Sequence, residues 1–382
     1  AATTGDINVA VGKNALTDLT TGSSNTAVGK DAGANITTGS SNTAIGQGSL
    51  TTLTTASNNT AVGKDALTAN TTGTLNTAVG RLSLAANTTG QQNVAVGEGS
   101  LENSTTANYN TAIGTKALQT TTTGTQNVAV GALALDANTT ANNNTGLGYA
   151  ALGANTTGAN NTAVGKGALD ANTTADDNTA VGANALGSNT TAINNTAVGS
   201  RALLLTETGG GCTAIGHDCL ENNTVSNNTA VGSESMKANT TGQYNVALGS
   251  VALDANTTAN YNTAIGYNSL GANTTGVQNV AVGALALDAN TDQSNNTAIG
   301  YAALGANTGG TRLVAVGMNA LVQNTTGNNN VAVGNNALDA NTTGADNVAM
   351  GYNCLSAATT ASNNTAIGHK VLEDSTSGAQ LV

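Results

Sequence analysis

The 382-residue chain has no Pro, Trp or Phe, only 7 Tyr, and 48 Gly. Its formal net charge is −11, with 10 Lys and Arg against 21 Asp and Glu. The few scattered cations exclude nucleic-acid binding, which needs Lys and Arg to displace counterions, and no run of about 18 apolar residues offers a membrane-spanning helix.

From its first residues the chain is periodic. It opens Ala1-Ala2-Thr3-Thr4 without Met, as after removal of a signal peptide or excision from a longer parent. A glycine closing the motif Asn-Thr-Ala-Val-Gly then falls at Gly12, Gly29, Gly46, Gly63 and Gly80, and onward to Gly368. The step is 17 residues throughout except from Gly216 to Gly232, where it is 16. This gives 22 copies and predicts one repeat array over residues 1–382, with no separate domain. Disorder fits the composition but not an aliphatic residue held in phase 22 times.

Within each copy the residue before the repeat glycine is aliphatic or Met, as in Val11, Ile45, Leu147 and Met350. The fourth residue after it is Leu in 20 of 22 copies, Gly33 and Met236 being the exceptions. Two extended segments per copy are predicted. The first is Asn-Thr/Val-Ala-Val/Ile, whose β-branched second and fourth positions share one face of a strand. The second runs through Ala-Leu-x-Ala-Asn-Thr-Thr, and glycine-containing turns separate the two. A helix is the rival reading, but Asn-Thr-Thr-Gly is poor helix material. The pattern therefore predicts an all-β fold, a parallel β-solenoid of 22 coils of about 17 residues. With coils about 4.8 Å apart, such a rod would be on the order of 100 Å long.

Identical residues would then stack into ladders. Asn opens the strand in 20 of 22 copies, Cys212 and Leu313 excepted, and stacked amides can hydrogen-bond along the axis. The strand alanine recurs in 21 of 22 copies, with Gly146 the exception. If the flanking Val points into the coil, this alanine points out, and a smooth exposed strip implies lateral packing into a symmetric homo-oligomer. The alternative is a coil so thin that Ala points inside.

Other positions read as surface or filler. Asp136, Asp170, Asp254, Asp288 and Asp339 alternate with Gly153, Gly187, Gly271 and Gly305, as expected of solvated residues in a duplicated two-coil unit. Cys212, Cys219 and Cys354 replace Asn, Ala or Ser and read as small substitutions rather than a disulfide framework. His217 and His369 follow repeat glycines about 150 residues apart and share no ligand cluster. Tyr149, Tyr267, Tyr301 and Tyr352 share that phase, while Tyr109, Tyr244 and Tyr261 sit just before Asn. Stacking on neighbouring turns is the expected role of these rings, with sugar contact the alternative. Asn-x-Thr matches occur in most copies and read as composition rather than glycosylation. No catalytic, cofactor-binding or metal-ligating set is found, so no enzyme is expected. Ala2-Thr3-Thr4-Gly5 begins in mid-coil and Leu381-Val382 opens another strand, so the chain is expected to be cut from a longer fibre or to stack end to end.

The motif Asn-Thr/Val-Ala-Val/Ile-Gly-x-x-Ala-Leu resembles the head repeat of trimeric autotransporter adhesins of the YadA-like type. It is also similar to repeat arrays in tail-fibre-like proteins of phages and bacteria. The resemblance covers essentially the whole chain. It implies a left-handed parallel β-roll, three chains side by side or intertwined around one axis, and a place in a fibre on a cell or virion surface. The adhesin repeat is nearer 14 residues, which requires a wider coil here, and no membrane anchor, coiled-coil stalk or chaperone domain accompanies the array. Composition and resemblance together lead to the expectation of an extracellular structural fibre serving adhesion, host recognition or self-assembly. Its partners would be itself and a surface glycan or receptor. An ice-binding solenoid using Thr ladders is the alternative.

Overall fold

The computed structural model describes residues 4–378, 380 and 381. Ala2, Thr3 and Val382, which entered the reading of the chain ends, lie outside them. The chain divides into two compact units, residues 1–193 and 194–382. Each is a parallel β-solenoid, and among the described residues neither contains a helix. The first unit carries eleven three-residue strands from β1 (Val9–Val11) to β11 (Thr179–Val181), and the second carries eleven from β12 (Thr196–Val198) to β22 (Thr365–Ile367).

The 17-residue step becomes the register of the sheet. Thr26 pairs with Thr43, Ala27 with Ala44 and Val28 with Ile45. The Thr26 amide donates to the Asn42 carbonyl at 2.9 Å and the Gly46 amide to the Val28 carbonyl at 2.8 Å. At the short coil Thr213 pairs with Thr229, so the deletion falls outside the strands and leaves the pairing intact.

The direction of the strand side chains is the reverse of the favoured expectation. The strand alanine points inward: it is buried in every strand but β1, which is exposed at all three residues. The flanking Thr/Val and Val/Ile point outward, and Ile113 is 41% exposed beside a fully buried Ala112. Coil width is the cause. A Cβ at Gly146 would lie 3.1 Å from the Ala151 carbonyl oxygen and 3.4 Å from Leu135 Cδ1. The interior has room for a methyl group and no more, so a branched side chain must face out. The alanine strip expected on the surface does not exist, and the lateral packing inferred from it loses that support.

The second segment is not a strand. Residues after the repeat glycine form a turn that alternates left- and right-handed backbone, with Asp65 at φ 56° and Leu67 at φ 50°. Its amides bond alternately within the turn and to the next coil: Asn70 N to Leu67 O at 3.2 Å, Leu67 N to Ser83 O at 3.0 Å. Left-handed Leu costs roughly 1–2 kcal/mol. The conformation turns the side chain into the coil, where Leu67 is fully buried, a gain of about 1.5–3 kcal/mol. The two terms nearly cancel at one residue, so stacking of successive coils supplies the stability. The repeat glycine is required by close approach: a Cβ on Gly29, at φ 137°, would lie 2.7 Å from the carbonyl of Gly46.

Two Asn ladders complete the interior. In the first, Asn42 N and Nδ2 donate to Asn25 Oδ1 at 3.0 and 3.2 Å, and Nδ2 also reaches the Ala56 carbonyl at 3.0 Å. The second runs through the Asn seven residues after the repeat glycine. Asn172 Nδ2 donates to Asn155 Oδ1 at 2.8 Å and Asn189 Nδ2 to Asn172 Oδ1 at 2.9 Å. Both ladders are buried.

Candidate interaction surface

Because the alanine faces in, the outer face of each unit's sheet consists of two columns, one Thr or Val and the other Val, Ile, Leu or Met. No strand residue in either column is charged. Val94, Val128, Leu147, Leu248 and Met350 are each exposed by between 36% and 44%. Rungs stand about 4.8 Å apart and the columns about 6.6 Å apart, twice the rise of one strand residue. Each unit thus displays on the order of 1,000 Å² of largely apolar, regularly ribbed surface. That exceeds the 300–600 Å² of the largest patch on a typical monomer and matches the ~800 Å² each partner buries in a stable interface.

The strip is rimmed on both sides. One rim holds the residue after the repeat glycine, with Lys30, Lys64, Tyr149, Tyr267, Tyr301 and His369. The other holds the left-handed residue just before Asn, with Asn58, Tyr109, Tyr244 and Tyr261. The Tyr244 and Tyr261 rings stack at 5.3 Å and 4° between planes, and Tyr352 stacks on His369 at 5.5 Å. His217 stands 3.5 Å from Asp218 Oδ1. Of the seven Tyr expected to stack on neighbouring turns, Tyr244, Tyr261 and Tyr352 do so; the strip between the two columns of rings was not expected.

The remaining polar groups are organised for folding. Among the described residues no group of three or more His, Cys, Asp or Glu converges as metal ligands would. A shallow open groove of about 380 Å³ on the first unit, lined by Asn14, Thr17, Asp18, Asp31, Ala34, Asn35 and Thr51, brings together no reactive set. The three cysteines are free and buried. Burial pushes the Cys219 thiol up to about 12. Cys212 takes an Asn-ladder position at the short coil, and its thiol meets the Val225 carbonyl at 3.2 Å. There Asn223 Oδ1 accepts from both Asn228 and Asn239, at 3.0 and 2.7 Å, and so joins the two ladders.

The same coil carries a buried ion network. Asp218 and Glu221 have side chains only 4% and 8% exposed. Lys237 Nζ lies 2.9 Å from Asp218 Oδ2 and 3.7 Å from Glu221, while Arg201 pairs with both carboxylates. These contacts raise the Lys237 and Arg201 pKa values above their ordinary range.

The alternating aspartates are less solvated than expected. Asp136, Asp254, Asp288 and Asp339 are half-buried, though Asp170 is exposed. Burial is the leading cause that raises the pKa of all five. The glycine between them makes the room: a Cβ on Gly153 would lie 2.8 Å from Asp170 Oδ1.

The second Asn ladder was missed in the sequence although a signal was present. Leu19, Ile36 and Leu53 occupy its phase in the first three full coils, which marks the phase as inward.

No protein-family model matches the chain, and a search of curated proteins finds no match.

Proposed function

We propose that the chain is a structural, non-enzymatic subunit of an extracellular fibre, and that copies associate side by side through the Thr/Val and Val/Ile columns. The observation that carries this reading is the charge-free strip whose second column is apolar on every rung and whose first is Val or Thr. Burying it against the same strip of a second copy removes apolar surface from water without desolvating a single charge. Equal rung spacing lets one strip mesh with another at every coil. A three-fold arrangement is the form favoured by the resemblance to adhesin heads and tail fibres. The test is the solution mass of the wild-type chain against an Ile113→Asp, Leu147→Asp double variant. Both residues face out, so the variant keeps the fold. Wild type runs as a multiple of the chain mass and the variant as one chain; a monodisperse single-chain wild type sinks the proposal.

One observation favours a second reading, an ice-binding face. One outer column places Thr on consecutive rungs from β2 to β5, from β9 to β11 and from β12 to β14, which the sequence did not reveal. Thermal hysteresis at high protein concentration tests it, and its absence removes this reading.

A further inference from the structure

The structure divides most of the Asn-x-Thr matches into two columns with opposite surroundings; Asn35, Asn103 and Asn222, six residues after a repeat glycine, stand outside both. In one, the Asn is the second-ladder residue, as in Asn70, Asn155 and Asn256. These side chains are fully buried, and each Nδ2 is held by a carbonyl three residues on, at 2.9, 2.9 and 3.2 Å. In the other, the Asn occupies the left-handed turn just before the strand. Seven such sites exist, among them Asn58, Asn143, Asn160, Asn227, Asn295 and Asn363. All six of these are exposed, with φ between 60° and 66°.

The local geometry of the second column suits an acceptor. In Asn58-Asn59-Thr60 the middle residue is the buried ladder Asn, so its side chain points away. Asn58 is exposed on the rim, and Thr60, half-buried, faces out from the adjoining column of the strip. The amide to be modified and the hydroxyl that defines the motif therefore lie on the same outer side of the coil; the Asn143 side-chain amide also donates to Asn160 Oδ1 at 3.3 Å, an exposed contact. Asn occupies this turn position eight times, and seven of those coils have Thr two residues on; Asn329, followed by Val331, is the exception.

We propose that the turn column is a series of N-glycan acceptor sites, and that the buried column is closed to modification in the folded chain. For its setting the proposal rests on the extracellular reading above. The donor is a lipid-diphosphate-linked oligosaccharide. The Asn58 Nδ2 forms a bond to C1 of the first sugar, the C1–oxygen bond to the diphosphate breaks, the lipid diphosphate leaves, and the amide loses one proton. No electrons change hands. The Thr/Val exchange of the outer column then sets which coils carry a glycan, because Val removes the hydroxyl and keeps the fold.

The test uses the full folded chain, a single-subunit oligosaccharyltransferase and a lipid-diphosphate-linked oligosaccharide. Turnover is established beforehand on a peptide spanning residues 55–62. Sites are read by mass spectrometry after enzymatic deglycosylation in heavy-oxygen water. The expected result is occupancy at Asn58, Asn143, Asn160, Asn227, Asn295 and Asn363 and none at Asn70, Asn155 or Asn256. Thr60→Val, a residue other coils already use at this position, abolishes occupancy at Asn58 alone. A folded chain left unmodified at the turn column, or modified at the buried one, overturns the proposal. The reaction is run on the Ile113→Asp, Leu147→Asp variant as well as on the wild type, so that burial of Thr60 by a second copy is told apart from a turn column that accepts no glycan, and the two readings fail separately.

Discussion

Asn76 donates twice to Asn59: its backbone amide and its Nδ2 reach the same Oδ1, at 3.1 and 3.3 Å. Asn59 in turn donates its Nδ2 to the Gly73 carbonyl at 2.9 Å. One side chain therefore satisfies two buried donors and a buried acceptor. Asn59→Ala orphans the Asn76 backbone amide, while Asn76 Nδ2 keeps the Gly90 carbonyl and the Gly73 carbonyl keeps Asn70 Nδ2; one buried unsatisfied group costs about 1–3 kcal/mol. We expect a loss of about 1–3 kcal/mol, with amide exchange rising first in the coils on either side of residue 59. Hydrogen exchange by mass spectrometry locates it. Uniform protection after the substitution would show that the ladder is dispensable.

The inward alanine makes a sharp contrast between neighbours. Ala112→Val adds two methyl groups where one already touches, and overpacking of this kind costs about 1–3 kcal/mol. Ile113→Ser, one residue on and facing out, changes the stability of the isolated chain by roughly 0.5 kcal/mol or less. Denaturant unfolding of the two variants reports which side chain is inside.

Asp254, Asp288 and Asp339 have pKa values raised chiefly by burial. For a carboxyl raised on folding, the stabilising contribution is complete below the unfolded value, near 3.8, and is lost as pH rises through the folded one. The wild type is therefore penalised at neutral pH. Replacing the three by Asn should raise the melting temperature at pH 7 and make no difference at pH 3. The sites are partly solvated, so solvent screening limits the gain to about a few tenths of a kcal/mol each. An equal shift at both pH values would assign the effect to packing instead.

Lys237 balances two carboxylates that are almost out of water. Lys237→Met leaves Asp218 and Glu221 with Arg201 as partner, and loss of one member of a buried network costs up to 3–5 kcal/mol. Because Lys237 is itself partly exposed, we expect about 2 kcal/mol. Faster exchange should be confined to the coil between Gly216 and Gly232. Full rescue of the wild-type exchange pattern by Lys237→Arg would confirm that charge, not shape, is what the site needs.

The thiols give a simple check of burial. Cys212, Cys219 and Cys354 should resist a thiol reagent at pH 8 in buffer and react together in denaturant, since burial raises all three thiol pKa values. Reaction of Cys219 in the native chain at the rate of a free thiol would contradict its place inside the coil.

The repeat, its 17-residue step, the single short coil and the parallel register were legible in the sequence. So was the first Asn ladder, because an amide recurring in phase has few roles other than stacking. The site was not legible. The strand is three residues long, as at Thr111–Ile113, and alternation allows either face to be the inner one. Hydrophobicity favoured Val inside and gave the wrong answer.

Sequence alone determined that each copy forms one coil and that coils stack in register, since period and identity suffice for both. Only the tertiary structure decided that Ala112 faces in and Ile113 faces out. That choice depends on the gap between the strand and the opposing turn, where the left-handed Leu ladder already fills the interior. The gap is set by how the coil closes on itself, which no single stretch of the chain specifies.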